Sequence, residues 1–145
     1  MIRDFSYYIV RTLAKRATPN PAIARSLVAK AELRLKLVNE KDLTEETSTI
    51  LFEEVYEALR EASQSLMQLK GFKPYSHEAV IAFLIRESLM PESFTKSFDR
   101  YRILRNKSVY EAHNVSIETC REAIGFARAE IPKIKEKLAA LLPKA

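Results

Sequence analysis

The segment Thr44–Gly71, TEETSTILFEEVYEALREASQSLMQLKG, decides the fold. Leu51, Val55, Leu59, Ala62, Leu66 and Leu69 recur along it at spacings of three and four, which at about 100° per residue stacks them on one stripe of a helix. Thr44 followed by Glu45 and Glu46 predicts an N-cap with acids set against the positive end of the helix dipole. Gly71 predicts its end. Glu53, Glu57 and Glu61 repeat every four residues near Arg60 and Lys70, a pattern read as a solvated face to which no chemistry is assigned.

Working outward, Lys73-Pro74-Tyr75 reads as a connector and Ser76 as the cap of a shorter helix. That helix carries Ala79-Val80-Ile81-Ala82-Phe83-Leu84-Ile85, apolar around most of its circumference, and is expected to be the central, most buried one; a strand is the alternative. Upstream, residues 3 to 17 are expected as a short helix closed by Thr18-Pro19-Asn20-Pro21. There Asn20 caps the next helix and Pro21 takes its first position, where a missing amide costs least. This helix is expected to run to about Lys41 on a stripe of Ala24, Leu27, Val28, Ala31, Leu35 and Val38, with Leu33 and Leu37 as a second, narrower face. Pro91 begins a further helix through about Tyr110. Ser116 caps a last one carrying Ile117, Cys120, Ile124, Ala127 and Ile131, which Pro132 is expected to kink or divide. Short connections between amphipathic helices imply an all-α, up-and-down bundle of four to five helices. Residues 1–20 are read as an N-terminal extension and 21–145 as the helical domain.

Composition excludes several functions. The chain has 145 residues and only two glycines, Gly71 and Gly125, far apart. A Walker A loop or a Rossmann fingerprint needs clustered glycines for backbone amides to reach phosphate, so neither is possible. Asn-Gly and Asp-Gly hairpin turns are absent, which disfavours a β-rich fold. Lys plus Arg is 24 and Asp plus Glu 19, a formal charge of +5, which is permissive for contact with phosphates or acidic partners. Cys120 stands alone and is expected to be buried and inert. The N-terminal Met1-Ile2-Arg3-Asp4 lacks the pattern of a signal peptide, and the longest apolar run, Ala79–Ile85, is too short to span a bilayer. The chain is therefore read as cytoplasmic, with no membrane partner. Its two histidines are too few and too separated for a histidine metal site, and Pro74 and Tyr110 stand where a di-iron bundle would need Glu. No metal and no cofactor are expected. His77, on the first turn of its helix, is read as a local cap partner or a partly exposed side chain.

One position breaks the pattern. On a helical wheel Phe94, Phe98, Tyr101, Ser108 and Val109 share a face with Leu104 at its margin, and Arg105 falls in the middle. A guanidinium cannot shed its charge, so an apolar surround demands an anion or carbonyls to meet it. Arg105 is then either a snorkelling or ion-paired structural residue, or the centre of a cleft or interface that meets a phosphate or a partner.

The segment Phe98-Asp-Arg-Tyr-Arg-Ile-Leu-Arg105-Asn106-Lys-Ser-Val-Tyr110-Glu111, followed by a capped terminal helix, resembles the penultimate helix of HEPN domains, the higher-eukaryote and prokaryote nucleotide-binding family. The stretch from Val55-Tyr56-Glu57-Ala58 through Lys70-Gly71-Phe72-Lys73-Pro74-Tyr75-Ser76-His77-Glu78-Ala79-Val80 resembles that family's second helix, connector and third helix. The resemblance covers roughly residues 21 to 140. It implies a HEPN-like bundle that dimerises through the faces bearing the motif, binds RNA or nucleotide, and belongs to a toxin–antitoxin or defence pair with a minimal nucleotidyltransferase.

Many members of that family are metal-independent ribonucleases marked by Arg, often Asn, then four to six residues and His. Arg105 and Asn106 match the start, but Tyr110 follows after four residues and His113 only after seven. The difference bears on chemistry, because cleavage through the 2′-hydroxyl needs a group that exchanges protons near neutral pH, as imidazole does and a phenol does not. The candidate catalytic residues are thus Arg105, Asn106, Tyr110 and His113, with Tyr110 also a conceivable acceptor of a transferred nucleotide. Arg102, Arg105, Lys107 and Tyr101, with Arg100 and Arg121 nearby, are the candidate nucleic-acid contacts. Three functions stay open: an RNA- or nucleotide-binding module, a metal-independent endoribonuclease, and a protein-interaction module in which the arginine is structural.

Overall fold

The computed structural model describes residues 1–143. In chain order it runs through a short helix α1 (Phe5–Val10), a strand β1 (Ala14–Arg16), helices α2 (Pro21–Leu37) and α3 (Ser48–Lys70), a strand β2 (Phe72–Pro74), and helices α4 (His77–Arg86), α5 (Glu92–Glu111) and α6 (Ile117–Leu141). The protein is an all-α helical bundle with a single two-stranded ribbon at its side.

The centre is α3 rather than the shorter apolar helix expected there. All of Ala79 to Leu84 in α4 is buried. Even so, α4 is ten residues long, whereas the 23-residue α3 runs the length of the bundle and packs against α2, α4, α5, α6 and β2. Phe52, Val55, Leu59, Leu66 and Met67 give α3 its apolar bulk, while Ala58, Ala62, Ser63 and Ser65 are buried small residues that let neighbouring helices approach closely.

Side-chain pairs fix the helix directions. Asn20 bonds to the Gln68 carbonyl while Arg34 reaches Glu54, so α2 runs against α3. The Phe98 and Tyr101 rings meet Tyr56 and Phe52 in reverse order, so α5 does too. Phe94 on Phe126 and Arg100 on Glu122 set α6 against α5. These four long helices alternate direction as expected. The exception is α4: β2 doubles the chain back along α3, so His77 lands beside Tyr56 and Phe83 lies beside Phe72, making α4 parallel to α3.

Three predicted caps form, with Asn20, Ser76 and Ser116 side chains accepting from the amides of Ile23, Ala79 and Thr119. Thr44 does not cap α3. Its backbone and side chain bond reciprocally with Thr47 in a turn, a local alternative that delays the helix to Ser48. The α2 helix stops at Leu37, short of Lys41, because Asn39 caps a separate one-turn 3-10 helix, Glu40–Asp42. Leu33 and Leu37 are exposed and form no second packed face. Pro132 does not divide α6, whose Ala127, Ile131, Ile134 and Leu138 lie buried on both sides of it.

The short helix expected over residues 3 to 17 ends at Val10. Thr12 takes a left-handed conformation (φ 56°), and the chain then pairs antiparallel with β2, Ala14 facing Pro74, Lys15 facing Lys73 and Arg16 facing Phe72. Phe5 packs edge-on against Phe72 and Phe83 at 5.2 and 5.5 Å, which ties this segment into the common core. Gly71 makes the turn possible: its φ is +85°, and a Cβ there would stand 2.8 Å from the Ala17 carbonyl oxygen.

Candidate functional site

Where α3, α4 and α5 meet, ionisable side chains gather beside the core. The doubling back along β2 places His77 at the first turn of α4, its ring parallel to that of Tyr56 within 9° at 5.6 Å between centroids. Tyr56 Oη and His77 Nδ1 are 2.8 Å apart. Burial pushes the Tyr56 hydroxyl well above the ordinary phenol range, so it stays protonated. A protonated phenol can donate to Nδ1 or accept from it, so the contact engages Nδ1 in either tautomer and leaves Nε2 without a hydrogen-bond partner among the described residues. His77 is held down to about 4, first by burial and then by the positive charges of Arg105, Arg60 and Arg102, against a smaller opposing effect of Glu57. At neutral pH the imidazole is uncharged.

Three arginines surround this pair. Arg60, one turn along α3 from Tyr56, is ion-paired with Glu57 and donates to Gln64 Oε1 at 2.6 Å. Burial would raise the Glu57 carboxyl, but the Arg60 hydrogen bond and charge outweigh it and hold it below the usual carboxylate range. Arg102 on α5 is only 7% exposed, with Nε 2.7 Å from Asp99 and a terminal nitrogen 3.5 Å from Glu78. Glu78 also accepts from the Tyr8 hydroxyl at 3.2 Å, which links α1 to the cluster. Arg105, one turn further along α5, is half-buried. Its guanidinium donates to Asn106 Oδ1 at 3.3 Å and lies 5.9 Å from the Tyr110 ring centroid. No carboxylate of the described residues lies within 4.0 Å of it.

The arginine sunk deepest in the apolar face of α5 is therefore Arg102, and Arg105 stands at the margin of that face. Phe94, Phe98, Tyr101 and Ser108 are buried as expected, Leu104 is half-buried and Val109 is exposed. Tyr101 packs on Phe52 and Phe126 with no face open to solvent, and burial pushes its hydroxyl up to about 12. Lys107 is exposed and Tyr110 is 75% exposed. Beyond the end of α5, Ala112 turns left-handed (φ 52°) and the His113 amide bonds back to the Lys107 carbonyl at 3.1 Å. The His113 ring is exposed, and among the described residues it makes no hydrogen bond. The structure thus brings Arg102, Arg105 and Asn106 to the cluster, sets Tyr110 at its edge, and forms no hydrogen bond between the His113 ring and Arg105.

His77 is partly exposed at the first turn of α4, as the sequence suggested, but sequence reasoning gave it no part in a site and passed over Tyr56 and Arg60. A signal existed: Tyr56, Glu57 and Arg60 share a turn of the helix whose connector leads directly to His77. Glu53, Glu57 and Glu61, read from the sequence as one solvated face, also separate. Glu53 accepts from Ser108 Oγ at 2.8 Å and Glu57 joins the cluster. Glu61 is 2% exposed instead of solvated, and it binds Arg34 at 2.9 Å and Lys30 at 3.1 Å. Cys120 is fully buried, which pushes its thiol up to about 11, away from reactivity. Among the described residues no group of three or more His, Cys, Asp or Glu side chains is arranged to hold a metal, and no helix is long and apolar enough to cross a membrane. The chain matches no family model, no curated protein and no solved structure.

Proposed function

We propose that the chain is a HEPN-like domain that binds RNA or a nucleotide through a phosphate group at the Arg105 cluster. It acts as a homodimer in the cytoplasm, within a toxin–antitoxin or defence pair whose other member is a minimal nucleotidyltransferase. The observation that supports this is the state of Arg105 beside Tyr56 and His77. Arg60 is paired with Glu57 and Arg102 with Asp99 and Glu78, whereas the half-buried Arg105 guanidinium has no carboxylate of the described residues within 4.0 Å, and both central rings are neutral. A fixed cation in a half-buried setting favours an anion, and the planar fork of Arg105 suits a phosphate.

A second reading, metal-independent cleavage of RNA, is favoured by His77. Nδ1 is occupied by Tyr56, so Nε2 is the nitrogen left for substrate. A bound phosphate would offset the arginine charges and raise the imidazole toward the range in which it exchanges protons. In such a step His77 Nε2, in the tautomer that carries its proton on Nδ1, takes the 2′-hydroxyl proton as the 2′-oxygen bonds to phosphorus. The imidazolium so formed gives that proton to the 5′-oxygen as its bond to phosphorus breaks, leaving a 2′,3′-cyclic phosphate.

The test is binding and cleavage of RNA by the purified protein with a chelator present, beside Arg105→Ala, His77→Gln and His113→Ala. Binding lost with Arg105→Ala and retained in both histidine variants is the expected result. Chelator-resistant cleavage abolished by His77→Gln establishes the enzyme. Binding indifferent to Arg105→Ala overturns the cluster as the phosphate site and leaves a protein-interaction module with a structural arginine.

A further inference from the structure

A second surface lies apart from the Arg105 cluster. Residues 1–16 and 70–75, which form α1, the β1–β2 ribbon and their edges, hold six of the chain's 24 basic residues and one of its 19 acidic ones. They carry the entire net charge of +5, and the rest of the chain is neutral. The six are Arg3, Arg11, Lys15, Arg16, Lys70 and Lys73. All are exposed, and none lies within 4.0 Å of a carboxylate of the described residues. Elsewhere in the fold cations commonly have such partners, as Arg34, Arg60, Arg100, Arg102, Arg128 and Lys135 do.

These cations are interleaved with aromatic rings. Lys15 and Lys73, opposite each other in the ribbon, place their ammonium groups 5.2 and 5.9 Å from the ring centre of Tyr75, which is 52% exposed. The Arg3 and Arg11 guanidiniums lie 5.2 and 3.9 Å from the ring centre of Tyr7. Unpaired cations spaced along an extended ribbon match a phosphodiester backbone, and a ring flanked by them offers a face on which a base can stack. A membrane would call for a set of apolar side chains to enter it, whereas Met1 and Val10 are the only large aliphatic side chains exposed on these segments, against six cations. An acidic protein would leave the tyrosines without a role. We propose that the β1–β2 ribbon with α1 is a binding surface for single-stranded nucleic acid, with Lys15, Lys73, Arg11 and Arg16 on the backbone and Tyr75 as the stacking platform. The surface is distinct from the Arg105 cluster and stands without it. It adjoins the cluster, because Tyr75 is two residues from His77, so a strand lying on the ribbon leads toward the three arginines.

The test is fluorescence anisotropy of a short fluorescein-labelled oligouridine, titrated with parent protein, Lys15→Glu/Lys73→Glu, Tyr75→Ala and Arg105→Ala at several salt concentrations, with circular dichroism confirming the fold. The lysine pair is expected to lower affinity on the order of tenfold or more and to reduce the slope of log affinity against log salt by about 1.4, two contacts at roughly 0.7 each. Tyr75→Ala is expected to weaken binding roughly tenfold with the salt slope unchanged, the signature of a stacking contact. Parental affinity and slope in the lysine pair overturn the proposal. Capture by phosphatidylserine vesicles at least as strong as by oligouridine also overturns it. The two sites separate cleanly: loss with Arg105→Ala alone leaves the cluster and removes the ribbon, and loss with the lysine pair alone does the reverse.

Discussion

Helix α3 carries buried charge on two faces, and the two are balanced differently. Toward α2, the carboxylate of Glu61 is met by Arg34 and Lys30, with Glu54 completing Arg34. Those hydrogen bonds and charges raise the Arg34 guanidinium further above its ordinary value. Toward α4 and α5, Arg60 is paired with Glu57 and Arg102 with Asp99 and Glu78, while Arg105 beside them has no carboxylate of the described residues within ion-pair distance. The first arrangement is complete in itself and holds two helices in register. The second leaves one cation, Arg105, without an anion among the described residues. Buried charge alone therefore says little about function here, whereas the remainder after pairing says where a ligand belongs.

That contrast breaks first at Glu61. Glu61→Ala strips both cations of a partner that is only 2% exposed, and is expected to lower unfolding stability in urea by about 2–4 kcal/mol, less than a fully enclosed pair because Lys30 remains well exposed. A loss below about 1 kcal/mol would put the two faces in the same class. Arg105→Ala is the complement. Removing a cation without a partner relieves repulsion, so stability is expected to stay within about 0.5 kcal/mol of the parent while RNA affinity falls roughly tenfold or more. Clear destabilisation by Arg105→Ala would make the arginine structural.

The helices were legible because their signals are local. The stripe from Leu51 to Leu69 and the caps at Asn20, Ser76 and Ser116 need only a few neighbouring residues to be read. The β1–β2 ribbon was not legible, since Lys15 and Lys73 pair across most of the N-terminal half of the chain and three-residue strands have too little pattern to announce themselves. The site was half legible for the same reason. Arg105 stands out on a wheel by breaking an apolar face, but the wheel cannot say which arginine the neighbouring helices cover, and the one they cover is Arg102. His77 reads as a cap-turn residue until the ribbon folds its helix back along α3 and sets it against Tyr56.

His77 sharpens the comparison through pH. Its folded value, about 4, lies below the ordinary 6.5, so the folded state favours the neutral ring, and protonation favours unfolding. The stability that this contributes is fully present above about pH 6.5 and is lost as pH falls toward 4. The whole shift corresponds to about 3 kcal/mol, and solvent access to the half-buried ring reduces the expectation to about 1–2 kcal/mol. Urea unfolding of the parent and His77→Gln across this range should show the decline flattened in the variant. Burial is the largest cause of the effect, and the charged groups that act with or against it are Arg60 and Glu57 from α3 and Arg105 and Arg102 from α5, so Arg105→Ala should raise the NMR-detected titration of His77. Inorganic phosphate should raise it in the parent and leave it unmoved in Arg105→Ala. A His77 titration insensitive to both would separate the ring from the arginines.

The smallest effects belong to the residues that lie furthest from the charge imbalance. Tyr110 is mostly solvent-exposed and touches the cluster only through Arg105, at 5.9 Å, a distance at which an exposed cation–π contact is worth under about 1 kcal/mol. The His113 ring is exposed past the end of α5, and its backbone rather than its ring is what the helix end holds. Tyr110→Ala and His113→Ala are therefore each expected to change stability by less than about 0.5 kcal/mol and RNA affinity by less than about threefold, and His113→Ala to spare any cleavage that His77→Gln abolishes. A large loss of cleavage with His113→Ala, at parental stability and binding, would mean that a second copy of the chain presents His113 to the Arg105 of the first. The site would then be complete only in the dimer, and the unmatched guanidinium would be waiting for an imidazole as well as a phosphate.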